Sequence, residues 1–314
     1  MKNTTLLLPL MLAACSQAPS QSFDADNTIR IMKTLSADDM KGRRTGSEGN
    51  AKAQAFLKSE IAKLDVFDMT YETKFKTQPR PNRDGVIPPD SPVYDAVNLH
   101  GLIDTDDNDE GPLFVITAHY DHLGERDGEI YNGADDNASG SAALFAIAQS
   151  FVSVTSNHDV LFIWLDAEEM GLQGARHYVQ AADFGSRAVF NLNLDMVSQN
   201  KTGEIYASGS YHTPALKPLV SKAAKGVDIK VSFGHDRPED GPNDWTLQSD
   251  HGIFHSAGIP FLYFGVEDHP HYHRPTDEFS TIPIPFYENS LKLIVNTAHV
   301  LDENLESLAQ STRL

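Results

Sequence analysis

Four short apolar runs in this 314-residue chain end on an acid or a histidine, and helical stretches separate them. Residues 113–118 run into His119, 160–165 into Asp166-Ala167-Glu168-Glu169, 189–194 into Asp195, and 259–264 into a histidine-rich loop. Between and after them, residues 141–151, 171–179, 215–225 and 285–308 suit helices. Short, β-branched apolar runs of this kind read as buried strands. Strands alternating with helices predict an α/β fold: a single domain with a mixed, mainly parallel central β-sheet sandwiched by helices. Ligand sites in such sheets lie beyond the carboxyl ends of the strands. The acids and histidines fall there.

The stretch Y-N-G-A-D-D-N-A-S-G (131–140) places Asp135 and Asp136 side by side at a turn that opens into the helix at 141–151. Two carboxylates at a strand-to-helix junction are electrostatically costly unless a cation sits there. Asp195, ending a buried strand, needs a partner for the same reason. Singly, His119 reads as a loop residue, Glu168-Glu169 as a helix start, and Asp135-Asp136 as a turn or cap. Taken together, these strand ends look like a two-metal hydrolase site.

The net charge of −19 argues against nucleic acid as a partner. At the N-terminus, Lys2 precedes a short apolar stretch at 6–12, interrupted by Pro9, and then Leu12-Ala13-Ala14-Cys15. A membrane span needs about 20 apolar residues, so this stretch reads as a signal peptide. Leu-Ala-Ala-Cys resembles a bacterial lipobox. That implies cleavage before Cys15 and a lipid on it, with residues 15–23 as a tether. Ser16 after the cysteine implies the outer membrane, facing the periplasm. Cys15 is the only cysteine, so no intramolecular disulfide forms. Further on, the polar turn at 42–46 should lead into a helix capped by Ser47, with Ala53, Phe56, Leu57, Ile61 and Leu64 on its core face. Residues 77–92 carry five prolines and read as a loop, 93–103 as a strand, and 105–111 as an acidic loop.

Six motifs then resemble one family in order and spacing: A-H-Y-D-H (118–122), G-A-D-D-N-A-S-G (133–140), D-A-E-E-M-G-L-Q-G (166–174), N-L-D-M (193–196), S-D-H (249–251) and H-R-P-T-D (273–277). They resemble the di-zinc aminopeptidases, peptidase family twenty-eight of the metallo class, whose relatives include glutamate carboxypeptidase and glutaminyl cyclase. The G-R-R-T-G-S-E-G stretch at 42–49 resembles that family's start. The resemblance implies a peptidase domain over 24–314, after a signal peptide at 1–14. It implies two Zn²⁺ per chain, with His119 and Asp195 on one, Glu169 and His273 on the other, and Asp135 bridging both. Asp121 would accept the second N–H of His119 and so serve catalysis by fixing its tautomer. A cis peptide before Asp136 would aim Asp135 at the metals. Glu168 would be the general base, taking a proton from a metal-bound water that attacks the scissile carbonyl and passing it to the leaving amine.

This implies a lipid-anchored aminopeptidase acting on peptides with a free N-terminus. Glutaminyl cyclase is an alternative, but such relatives use one zinc, and the intact His119-Tyr120-Asp121 favours two. A carboxypeptidase or dipeptidase of the same fold is another alternative, and a non-catalytic peptide-binding lipoprotein a further one. The secreted aminopeptidases of the family carry a tyrosine just before S-D-H; here 244–248 is D-W-T-L-Q, which leaves the oxyanion partner unassigned. His269, His271 and His122 read as rim or pocket residues, and Asp250 and His251 as supporting groups.

Overall fold

The computed structural model describes residues 22–80, 87–105 and 111–310. The anchor at Cys15, with the signal peptide, lies outside them.

Among the described residues eight strands form the main sheet: β1 (Met69–Thr77), β2 (Tyr94–Ile103), β3 (Leu113–His119), β6 (Asp159–Leu165), β7 (Val189–Leu194), β8 (Glu204–Ser208), β9 (Lys230–Phe233) and β10 (Phe261–Gly265). Their spatial order is β1-β2-β6-β3-β7-β10-β8-β9, while β4 (Gly124–Arg126) and β5 (Glu129–Tyr131) make a separate hairpin. The central neighbours β6, β3, β7 and β10 run parallel, as do β8 and β9; β1, β2 and β8 join their inner neighbours antiparallel. The expected mixed, mainly parallel sheet is therefore present.

Both faces of the centre are covered, and the side chains alternate to match. Phe114 and Ile116 of β3, with Val160, Phe162 and Trp164 of β6, join the larger core. Their neighbours Val115, Leu161, Ile163 and Leu165 join the core on the other face. The larger core also takes residues from α1 (Ala25–Leu35), α2 (Glu48–Ile61), α3 (Gly140–Ser153), α5 (Leu216–Ala223) and α7 (Ile284–Asp302). Residues of α4 (Gln173–Ala181) and α6 (His251–Ser256) fill the smaller one. Helix α3 is buried on nearly every side, which explains its lack of a polar face.

Ser47 caps α2, accepting from the amide of Asn50 at 3.2 Å. The terminal helical stretch is two helices, with α8 (Leu305–Gln310) following α7 after a turn. Strands β1, β8 and β9 lie at the two margins of the sheet and were not anticipated; nor was α1.

Candidate metal centre

The ends of β3, β6 and β7, the turn before α3 and the loop after β10 meet in one place. His119, at the end of β3, is 1% exposed. Its Nε2 lies 3.3 Å from Asp195 Oδ1 and 3.5 Å from Asp136 Oδ1. On the other side, Asp136 Oδ2 is 3.0 Å from His273 Nε2, and His273 Nε2 is 3.4 Å from Glu169 Oε1. Asp136 thus stands between two donor groups.

This corrects the expectation that Asp135 bridges. Asp135 faces away: its Oδ1 accepts from the amide and hydroxyl of Ser198, both at 2.7 Å, and its Oδ2 pairs with His269 Nε2 at 3.0 Å. The cis peptide also sits one residue later than expected, at Asp136–Asn137. Asp277, the last residue of H-R-P-T-D, accepts from the amides of both Asp135 and Asp136 at 3.0–3.2 Å. Asn137 completes the turn, donating to the carbonyl of Leu194 at 2.9 Å and accepting from Gly140 N. Residues 133–140 are therefore pinned to β7 and to the 273–277 loop, and that fixes which of two adjacent carboxylates points inward.

Asp121 supports the site from beneath. Its carboxylate accepts from Glu168 N at 3.0 Å, Glu169 N at 3.3 Å and Thr45 Oγ1 at 3.2 Å. The Nδ1 of His119 bonds to the backbone carbonyl of Asp121 at 3.2 Å, with the carboxylate farther off at 3.6 Å. The backbone thus takes the tautomer-fixing bond foreseen for the carboxylate, and the carboxylate sets the Glu168–Glu169 backbone instead. Asp166 does similar work one layer below, accepting from Thr45 Oγ1, Asn50 Nδ2, Tyr120 OH and Val97 N. Burial, with Asp121 nearby, pushes its pKa up to about 7.

The fully buried Arg43 was read only as part of a polar turn. Its guanidinium donates to the carbonyls of Tyr120, Leu35, Asn132 and Gly133 at 2.5–2.9 Å. It ties α1 to the His119–Asp121 segment and to the turn that carries Asp136. Burial lowers its pKa to about 10, against the pull of Asp136 and Asp277. It also supplies a fixed positive charge beneath a cluster of acids.

The pKa values of the two glutamates move in opposite directions. Burial pushes Glu168 well above the carboxylate range; His119 opposes this, while Glu169, Asp250 and Asp195 reinforce it. Burial works against ionising Glu169, but the rings of His122 and His273 outweigh it and hold its pKa well below the ordinary value. His273 is raised to about 10: burial opposes, and Asp136 and Glu169 prevail.

His122 was set aside as a pocket residue. It is fully buried, with Nδ1 3.0 Å from Glu169 Oε1 and 3.7 Å from Asp136 Oδ2. Among the described residues two sets could hold a metal ion: His119, Asp136 and Asp195, and His122, Asp136 and Glu169. Among the described residues His122 Nε2 has no hydrogen-bond partner, and the 3.0 Å approach of its Nδ1 to Glu169 Oε1 is not aligned as a hydrogen bond. Buried polar atoms are rarely left unpaired. Orphaned donor atoms turned to one space, imidazole and carboxylate in type, fit a divalent ion such as zinc. Both oxygens of the buried Asp250 also lack a hydrogen-bond partner among the described residues, and burial raises its pKa to about 7. The stretch before it places Trp245 in a stack on His235 at 3.7 Å. The tyrosines near the centre are Tyr263, which donates to the carbonyl of Asp195 at 3.1 Å, and Tyr272, stacked on His273 at 4.0 Å.

The chain is similar to known proteins in both sequence and fold. Aminopeptidase YwaD of Bacillus subtilis is 32% identical over 180 residues, 54% of this chain and 37% of that protein. Leucine aminopeptidase 2 of Trichophyton rubrum is 27% identical over 176 residues, 53% of this chain and 33% of that protein. The chain thus spans about a third of the length of these curated relatives. Among solved structures, a zinc aminopeptidase from Bacillus subtilis shares the fold with a TM-score of 0.70 at 18% identity, covering 88% of this chain and 95% of that one. A glutaminyl cyclase from Bacteroides thetaiotaomicron shares it with a TM-score of 0.65 at 19% identity, covering 90% and 98%. The family model for Peptidase family M28 matches residues 98–298, which hold every strand end described above, and the chain belongs to that family.

Proposed function

We propose that this chain is a zinc-dependent exopeptidase, an aminopeptidase that removes N-terminal residues from peptides. The observation that carries the reading is Asp136 standing between two donor groups, with the buried Glu168 next to Glu169. His119, Asp136 and Asp195 would hold one zinc. Asp136 and Glu169 would hold the other, with His273 or His122 as its imidazole. Zinc bound there supplies Lewis-acid polarisation of a carbonyl and a lowered pKa for water.

The chain's own groups do the rest. Glu168 takes the proton of the attacking water and hands it to the leaving amine, one carboxyl serving as base and then acid. Asp121 holds the Glu168 and Glu169 amides, so both side chains keep their places. The surrounding carboxylates favour a substrate's cationic α-amine. We further propose that residues 15–23 tether a catalytic domain over 24–314 to the outer membrane through a lipid on Cys15. Among the described residues no helix is long and apolar enough to cross a membrane.

The test is hydrolysis of leucine p-nitroanilide beside its N-acetylated form, with and without a chelator. Release from the free-amine substrate alone, abolished by chelator and restored by zinc, is the expected result. Hydrolysis of an N-blocked peptide with a free C-terminus, such as N-acetyl-Leu-Leu, without turnover of the nitroanilide would move the reading to a carboxypeptidase. Ammonia release from N-terminal glutamine peptides, without nitroanilide hydrolysis, would move it to a glutaminyl cyclase.

A further inference from the structure

Beside the metal centre lies a cavity of about 280 Å³ that reaches Asp121, His122 and Glu169. Its other charged lining is three arginines, Arg44, Arg80 and Arg126. In a chain with 25 basic and 44 acidic residues, three guanidinium groups at one mouth are a local reversal of charge. The backbone makes room for two of them. Gly124 has φ +80°, and a Cβ there would lie 2.6 Å from the side chain of Arg44. Gly171 has φ +99°, and a Cβ there would come within 3.2 Å of Arg80. Aromatic rings sit near two of the cations: the Arg44 guanidinium lies 5.9 Å from the Tyr94 ring, and that of Arg126 5.5 Å from the Tyr131 ring.

These cations are not used up inside the protein. Among the described residues neither Arg44 nor Arg126 has an ion-pair partner. Arg80 donates to the backbone carbonyl of Glu168 at 3.2 Å and lies 3.9 Å from its carboxylate. Guanidinium groups recognise carboxylates through paired, charge-assisted hydrogen bonds.

We infer that this cavity receives a carboxylate that the substrate carries within one residue of the scissile bond. The inference rests on the peptidase reading and names the substrate class: dipeptides, through their α-carboxylate, or peptides with Asp or Glu beside the cut. Arg44 and Arg126 are its specificity-determining residues. Arg80, through its bond to Glu168, couples the carboxylate to the base.

Reduced-amide dipeptides, which cannot be hydrolysed, test this by calorimetry on the zinc-loaded full chain. The probes are Leu-ψ[CH₂NH]-Leu, its C-terminal amide, and the C-terminal amides of Leu-ψ[CH₂NH]-Asp and Asp-ψ[CH₂NH]-Leu. At least one carboxylate-bearing probe should bind about ten-fold tighter than the neutral amide. The winning probe identifies whether the α-carboxylate or a side chain is read. In the doubly substituted Arg44→Gln, Arg126→Gln protein that preference should vanish. Carboxylate probes that all bind within two-fold of the neutral amide, or fail to bind, would overturn the inference, as would a preference that survives the double substitution. Hydrolysis is read separately, on leucine p-nitroanilide and on the hydrolysable dipeptides Leu-Leu, Leu-Asp amide and Asp-Leu amide: a preference without turnover of any of them would sink the peptidase reading and leave the carboxylate site standing.

Discussion

Glu168 and Glu169 are adjacent, yet the fold shifts their acidities in opposite directions. Glu168 lies where burial and neighbouring acids resist ionisation, and Glu169 where two imidazoles favour it. Replacing Glu168 by Gln keeps the shape and removes the basic oxygen. Turnover of leucine p-nitroanilide should fall by roughly 10²–10⁴-fold, the range supplied by general acid–base catalysis, while zinc content stays unchanged. Near-normal turnover at full metal content would remove Glu168 from the mechanism; loss of zinc would mean that the two glutamates have exchanged roles. At this scale the sequence was informative about residue types and less so about direction. Seven residues were singled out, and six surround the centre: His119, Asp121, Glu168, Glu169, Asp195 and His273. Asp135 does not point into it. The choice between Asp135 and Asp136 depends on contacts with Ser198, His269 and Asp277, more than 60 residues away in the chain, which no local pattern reveals. The parts played by Arg43 and Asp277 are hidden for the same reason, since both act through distant backbone groups.

Among the elements, the central strands were legible because burial on both faces leaves continuous apolar runs. The marginal strand β1 was not, because it is exposed over most of its length. Its signal was the alternation of Tyr71, Thr73, Phe75 and Thr77 with Glu72, Lys74 and Lys76, a period of two without an apolar run. The β1–β2 pair holds a titration that should be measurable. His100 of β2 is buried, stacked on Tyr71 at 4.3 Å and bonded to Thr73 Oγ1 at 3.0 Å; its Nδ1 has no hydrogen-bond partner among the described residues. Burial, with a contribution from His177, lowers its pKa to about 3. An unfolded histidine titrates near 6.5, so between pH 6.5 and 3 the unfolded chain binds a proton that the folded chain refuses. Stability from this group is complete above pH 6.5 and declines on acidification. By pH 5 the loss should be about 2 kcal/mol. Urea unfolding at pH 7.5 and 5.0, with chelator throughout, should show a smaller acid loss for His100→Gln than for the parent protein. Equal losses in the two would mean that His100 is already protonated in the fold.

For the whole molecule, the alternation of strands and helices was enough to foresee the architecture, and with it the end of the sheet where the site would lie. It could not foresee the margins, because β1 is too exposed to leave an apolar run and β8 and β9 span only five and four residues. The proposed anchor belongs to this scale. Parent protein should partition with membranes, and Cys15→Ser should shift it to the soluble envelope fraction; equal release of both would mean that the lipobox match is incidental.

The account turns on Asp136 as the residue shared by two metal sites. Metal analysis after zinc reconstitution and desalting tests this most directly, on the parent protein, Asp136→Asn and Asp135→Asn. About two zinc ions per chain are expected for the parent, from two donor groups that share one carboxylate. Asp136→Asn should retain one at most. Asp135→Asn, whose side chain can still accept from Ser198, should stay near two. Two zinc ions retained by Asp136→Asn and lost from Asp135→Asn would contradict the arrangement.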